Sequence, residues 1–197
     1  MVIKYEGYSN CYVVSNRDKA ILIDCGLEKW MIDDINKKYQ IEAILLTHGH
    51  YDHIDGLRYF KDKTIYIHEL EEEFLYNSSF NLYYFMDKES YNKGELDIKL
   101  VHDGDELDLI GLKIKVIHTP GHTRGSVCYL IDNDLFTGDT LFNLSVGRTD
   151  FPTGDFLTLR DSLYKLKMLG HDYHVYPGHD NDTSLLFEIE NNRYFGA

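Results

Sequence analysis

Basic residues are in short supply in this chain. Twenty lysines and arginines stand against 33 aspartates and glutamates, which gives a formal net charge of -13 and a pI near 5.1. No basic cluster offsets that charge, so nucleic acid is not an expected partner; phosphate contacts require one. Long apolar runs are missing too. No stretch approaches the roughly 20 apolar residues of a membrane helix, and membrane association is not expected. The first residues, Met1-Val2-Ile3-Lys4-Tyr5-Glu6-Gly7-Tyr8, lack the charged-then-apolar order of a signal peptide. Cys11, Cys25 and Cys128 are too few and too scattered for a disulfide framework. Cys25 sits at the end of an apolar run and could approach a site there; an inert packed thiol is the simpler reading. These deficits together predict a cytoplasmic protein. The 3 prolines mark no linker, and no low-complexity tract or alignable repeat divides the 197 residues, so one domain over 1–197 is expected.

What is present is a regular succession of short elements. Cys11–Val14 and Ala20–Ile23 read as strands, Leu27–Tyr39 as a helix and Ile41–Leu46 as a buried strand. Thr64–Ile67 followed by the acidic Glu69–Tyr76 looks like a second strand and helix. Strands are then predicted at Leu96–Val101, Glu106–Leu109, Leu112–Ile117, Ser126–Ile131 and Asp134–Phe136. A helix over Phe156–Leu169, a strand over Tyr173–Tyr176 and a helix over Ser184–Asn192 complete the order. It suits an α/β fold with two sheets face to face and helices outside. Between these parts, Phe74–Lys93 is irregular and unusually aromatic. It could form a wall or lid over a cleft, cover the core, or make the contact of a homodimer.

The densest chemistry lies in Thr47-His48-Gly49-His50-Tyr51-Asp52-His53, directly after the Ile41–Leu46 strand. In an extended segment His48, His50 and Asp52 would share a face, and His53 would join them if the chain turns into a short helix there. Imidazole and carboxylate together suit zinc, with iron and manganese as competitors. Three further candidates each follow a strand and a glycine: His122 in Thr119-Pro120-Gly121-His122-Thr123, Asp139 in Phe136-Thr137-Gly138-Asp139, and His179 in Tyr176-Pro177-Gly178-His179. Glycine allows the sharp turn that would aim the next side chain into a cleft.

Seven ligands are too many for one tetrahedral zinc, but they suit two divalent ions about 3.5–4 Å apart with a shared carboxylate. The simplest division gives His48, His50 and His122 to one ion, Asp52, His53 and His179 to the other, and places Asp139 between them. Two dications outweigh two aspartates and a bridging hydroxide, so the centre stays positive enough to stabilise an oxyanion.

His-x-His-x-Asp-His at 48–53, followed by Thr-Pro-Gly-His-Thr, Phe-Thr-Gly-Asp-Thr and Pro-Gly-His, resembles the metallo-β-lactamase superfamily over nearly the whole chain. The resemblance implies an αββα four-layer sandwich, a dinuclear site on those seven residues, and Asp52 and Asp139 acting in catalysis as ligands rather than as free bases. Gly147-Arg148-Thr149-Asp150-Phe151-Pro152, then Gly154-Asp155, resembles more narrowly the short glyoxalase II-like hydrolases, as do Thr183, Glu188 and Asn192. That narrower likeness implies cleavage of a small thioester of the hydroxyacylglutathione type, a small-molecule acyl substrate, by a hydroxide bridging the metals. A lactone or ester hydrolase and an iron-dependent persulfide dioxygenase are the alternatives within the superfamily; an exported β-lactamase is disfavoured by the N-terminal sequence. Where that group has glycine after the last histidine this chain has Asp180, and Arg193 replaces the usual proline, which leaves the shape of the last loop open. The helical glutathione-binding domain of longer glyoxalase II proteins is not expected after Ala197.

Asp24 could orient a ligand imidazole or cap a helix. Thr47 and Thr123 are expected to make local hydrogen bonds. Arg148 would pair with a substrate carboxylate or brace its loop through Asp150 or Asp155. His68, His102, His118, His171 and His174 lack the ligand context.

Overall fold

Strands follow one another in space as they do in sequence. The computed structural model describes residues 1–196. Its first sheet runs β1 (Val2–Glu6), β2 (Asn10–Asn16), β3 (Lys19–Ile23), β4 (Gln40–Leu45), β5 (Thr64–His68), β6 (Asp97–Val101). β1 to β3 are antiparallel, and β3 to β6 are parallel. Parallel neighbours need crossovers. These are helix α1 (Lys29–Lys38), the short helix α2 (Tyr51–Ile54) with a 3-10 turn behind it, and the irregular chain between β5 and β6. The second sheet contains β7 (Glu106–Leu109), β8 (Leu112–His118), β9 (Val127–Ile131), β10 (Asp134–Gly138), β11 (His174–Pro177) and β12 (Thr183–Ser184), again in sequence order. Only β10 and β11 pair in parallel, through helix α3 (Phe156–Lys167); helix α4 (Leu185–Asn191) follows β12.

The alternation of side chains sorts the apolar residues into three cores, one for each interface of a four-layer αββα sandwich. Ala20 and Leu22 of β3 face outward with Ile32 and Ile35 of α1, whereas Ile21 and Ile23 face the second sheet. β4 keeps the same division by a bulge: Ala20 pairs with Ile41 and Ile21 with Ala43, so Glu42 is the extra residue. Ile41 and Ala43 therefore point to opposite cores although they are two apart. The inter-sheet core joins Tyr12, Ile21 and Leu45 to Ile114, Tyr129 and Phe136. The third core sets Leu163 and Leu166 of α3 and Leu185 of α4 against Cys128, Leu135 and Val175.

The C-terminal end is fastened by one buried carboxylate. Glu188 accepts from Thr183 Oγ1 at 2.7 Å, Asn192 Nδ2 at 2.8 Å and the Leu144 N–H at 2.9 Å. Asp180 keeps the last loop in shape despite standing where glycine is usual. It adopts φ 66, a left-handed conformation that Asp tolerates better than most residues, and its carbonyl accepts from Asn10 Nδ2 at 2.9 Å.

Two strands, β1 and β12, do not stand out in the sequence. Both are edge strands, and β12 has only two residues, so pairing rather than pattern makes them strands. Glu69–Tyr76 forms a 3-10 segment in place of the anticipated helix. Among the described residues no helix is long and apolar enough to cross a membrane.

Phe136 is 1% exposed, meets Tyr12 edge-on at 5.4 Å and stacks on Tyr176 at 4.9 Å. Phe136→Ala is expected to lower the free energy of unfolding by about 3–5 kcal/mol in denaturant titration; a loss under about 1 kcal/mol would refute this packing.

Candidate metal centre

Five of the seven candidate ligands lie just beyond C-terminal ends of strands, along one rim of the two sheets. β4 leads to His48 and His50, β8 to His122, β10 to Asp139 and β11 to His179. Hydrogen bonds join the rims: the Val127 N–H donates to Thr47 O at 2.9 Å, and Tyr129 Oη donates to Leu46 O at 2.9 Å. The expected sharing of a strand face by His48, His50 and Asp52 does not hold. β4 stops at Leu45, His50 is the residue before α2, and Asp52 and His53 reach the centre from that helix. The helix places neighbouring residues where a strand would have sent them apart.

Three sets of ligand atoms each fall within 4.8 Å of one another: His48, His50 and His122; Asp52, His53 and His179; and His48, His53 and Asp139. The first two match the division drawn from the sequence. Asp139 lies between them, with Oδ1 3.2 Å from His53 Nε2 and Oδ2 3.5 and 3.6 Å from Nε2 of His122 and His179. His179 Nε2 also lies 3.2 Å from Asp52 Oδ2.

The imidazoles are set by groups behind them. Asp24, buried at φ 59, accepts the Thr47 N–H on Oδ1 and both Thr47 Oγ1 and His53 Nδ1 on Oδ2, each at 2.8 Å. With its proton given to Asp24, the Thr47 hydroxyl can accept from His48 Nδ1 at 3.2 Å. His122 Nδ1 donates to the Arg148 carbonyl at 2.7 Å. A carbonyl can only accept, so the His122 tautomer is fixed. These bonds turn Nε2 of each ring toward the centre; it makes no hydrogen bond in His48 and His53, and in His122 it lies 2.9 Å from His50 Nδ1. Arg148 thus contributes through its backbone, while its guanidinium pairs with Asp150 at 2.6 and 2.7 Å and lies 3.8 Å above the Phe151 ring.

The donor set fits cations. Four buried atoms make no hydrogen bond: Nε2 of His48, His50 and His53, and Oδ1 of Asp139. Such atoms cost about 1–3 kcal/mol each when left unpaired. Burial, with His53 and His122 close by, holds His48 far below the usual histidine range; burial and His122 drive His50 down to about 3. Both present neutral nitrogens. Burial works against charge on Asp52 and Asp139, yet His53 beside them keeps both below the usual carboxylate range. Burial alone would also lower His53, but Asp24, Asp139 and Asp52 push it well above the ordinary value.

The ligands open into a cleft of about 640 Å³. Leu82, Phe85 and Met86 line it from the aromatic segment, and Phe142, Val146 and Phe151 from the loops after β10. The aromatic segment therefore does two things: Tyr83 and Tyr91 are buried against the first sheet and Phe74 against the His50 ring, whereas Phe85 flanks the cleft at 71% exposure. Cys25 is sealed in the core and joins no ligand set. Nor do His68, His102, His118, His171 and His174; His68 stacks on His118 at 4.2 Å.

A family model described as the metallo-beta-lactamase superfamily matches residues 5–179, which include every one of these ligands. The chain belongs to the metallo-β-lactamase superfamily. A "Probable metallo-hydrolase" of Methanocaldococcus jannaschii is 34% identical over 91% of this chain and 92% of its own length. The hydroxyacylglutathione hydrolase of Francisella tularensis subsp. novicida is 34% identical over 86% of the chain but only 62% of its own length. Among solved structures, the BLEG-1 B3 metallo-beta-lactamase superposes with a TM-score of 0.91 and 28% identity, each chain covered completely. TTHA1623 in a di-iron-bound form gives 0.81 and 30%, with 98% of this chain and 99% of that one covered.

Asp24→Asn would turn an amide N–H toward His53 Nδ1 and force the proton onto Nε2. Cation affinity at the Asp52, His53 and His179 set should fall about 10–100-fold with the fold retained. A competitive chelator titration measures this, and unchanged affinity would refute the role given to Asp24.

Proposed function

We propose that this superfamily member is a dinuclear metallohydrolase that cleaves a small thioester of the hydroxyacylglutathione type. The observation that carries the reading is the pair of candidate ligand triads with Asp139 between them in an apolar-sided cleft. The likeness to a hydroxyacylglutathione hydrolase supports the substrate class. His48, His50 and His122 would hold one ion, Asp52, His53 and His179 the other, with Asp139 bridging. Two divalent cations there would polarise an acyl carbonyl and bring the pKa of water down to about 7 in favourable sites.

The chain's own residues orient and enclose. Asp24 and the Arg148 carbonyl keep Nε2 of His53 and His122 turned to the centre. Phe142 meets His179 edge-on at 5.8 Å and Phe151 meets His50 at 5.8 Å, which sets apolar surface against one side of each ring. Phe85 and Met86 offer apolar surface to the substrate chain. Zinc suits the His/Asp donors, and the di-iron neighbour makes iron the competing ion. Three buried free thiols fit a reducing, cytoplasmic setting.

The test is hydrolysis of S-D-lactoylglutathione by metal-replete protein, with nitrocefin as the comparison because of the likeness to a β-lactamase. Turnover of the thioester, abolished by chelation, is expected. Asp139→Ala should lose bound metal and activity together, by more than the roughly 10–100-fold typical of groups that only orient ligands. Full activity in that variant would sink the assignment. Two bound metals with no thioester turnover would move the reading to esters and lactones. Bound iron with oxygen uptake would move it to a persulfide dioxygenase.

A further inference from the structure

One fully buried carboxylate touches two ligand loops without being a ligand. Glu71 lies on the Glu69–Tyr76 segment at 0% exposure. Its Oε2 accepts the Gly49 N–H at 2.9 Å, and its Oε1 accepts the Gly125 N–H at 2.9 Å. Gly49 stands between His48 and His50, and Gly125 lies three residues beyond His122. The contact leaves no room for a larger residue: a Cβ on Gly125 would fall 2.7 Å from Glu71 Cγ, and one on Gly49 would fall 2.4 Å from Phe74 Cβ. The other triad is held by different means. His53 is fixed by Asp24, and the loop of His179 by the Gly178 N–H to Gly138 O at 2.8 Å.

We propose that Glu71 is the positioning residue of the His48, His50 and His122 set, a clamp that fixes the distance between the loops supplying its two halves. This rests on the metal-site reading above and adds a site-specific consequence. Each oxygen takes one N–H, so an isosteric amide cannot replace the carboxylate. In Glu71→Gln the NH2 group would face a glycine N–H, and one loop would be released.

Cobalt(II) titrated into metal-free protein, followed by stepwise removal with a competing chelator, tests the clamp. Wild type should bind two equivalents, and Glu71→Gln should hold one of them about 10–100-fold more weakly while the other is unchanged. In a His122→Ala background, where the first set is already broken, Glu71→Gln should add no further loss. Equal weakening of both ions, or the same loss in the His122→Ala background, would make Glu71 a general support and overturn the proposal. So would two ions held with wild-type affinity. If Glu71→Gln does not fold, Glu71→Asp is measured in the same way, because its shorter side chain keeps the charge but cannot span both glycines. Wild-type protein that binds no cobalt would overturn the metal reading itself, an outcome distinct from failure of the clamp.

Discussion

The ligand cluster exists because like groups that avoid one another in water are pressed together at the seam between two sheets. Five imidazoles and two carboxylates converge there, all buried but Asp52 and His179, which are half-buried at the cleft. His48 and His50 are held neutral by burial and by the rings around them, and the unpaired nitrogens are a standing cost. What makes the arrangement tolerable is the ring of acceptors behind it. Asp24 fixes Thr47 and His53 and, through Thr47, reaches His48; the Arg148 carbonyl fixes His122. A histidine whose outer nitrogen is already committed has one lone pair to offer and one direction in which to offer it.

Strand ends supply the rigidity this requires. His48, His50, His122, Asp139 and His179 leave the backbone within five residues of a hydrogen-bonded strand, Asp52 and His53 come from the short helix α2, and the inter-sheet core joins Tyr12, Tyr129 and Phe136 between the two sheets. Tyr12 and Tyr129 each also spend their hydroxyl on a rim carbonyl, those of Pro177 and Leu46. The same residues that hold the sheets together therefore hold the two halves of the site in register.

Much of this could be read from residue order. Nearly all strands and helices carry their own signal, since the continuous apolar run of β3 and the helical spacing in α1 need no partner to be seen. The seven candidate ligands were equally visible as candidates, four of them packed into residues 48–53 and three each standing after a strand and a glycine. The geometry around Asp52 was not. Whether a chain turns at His50 depends on bonds made elsewhere, such as the Tyr51 N–H to Asn81 O, and no pattern in residues 47–53 records them. Glu71 was hidden for another reason. Nothing in Glu-Leu-Glu-Glu-Glu separates the buried member from its exposed neighbours; only tertiary packing chooses it. Asp24 was half visible, as a carboxylate in the right place whose partner could not be named.

The stretch from Asn77 to Lys93 contributes Leu82, Phe85 and Met86 to the cleft and not one ligand. One wall of the cleft is therefore carried by a piece of chain that holds none of the candidate ligands. Substitutions at Leu82, Phe85 and Met86 can reshape that wall without touching the His/Asp cluster, a separation of shape from charge within one cavity.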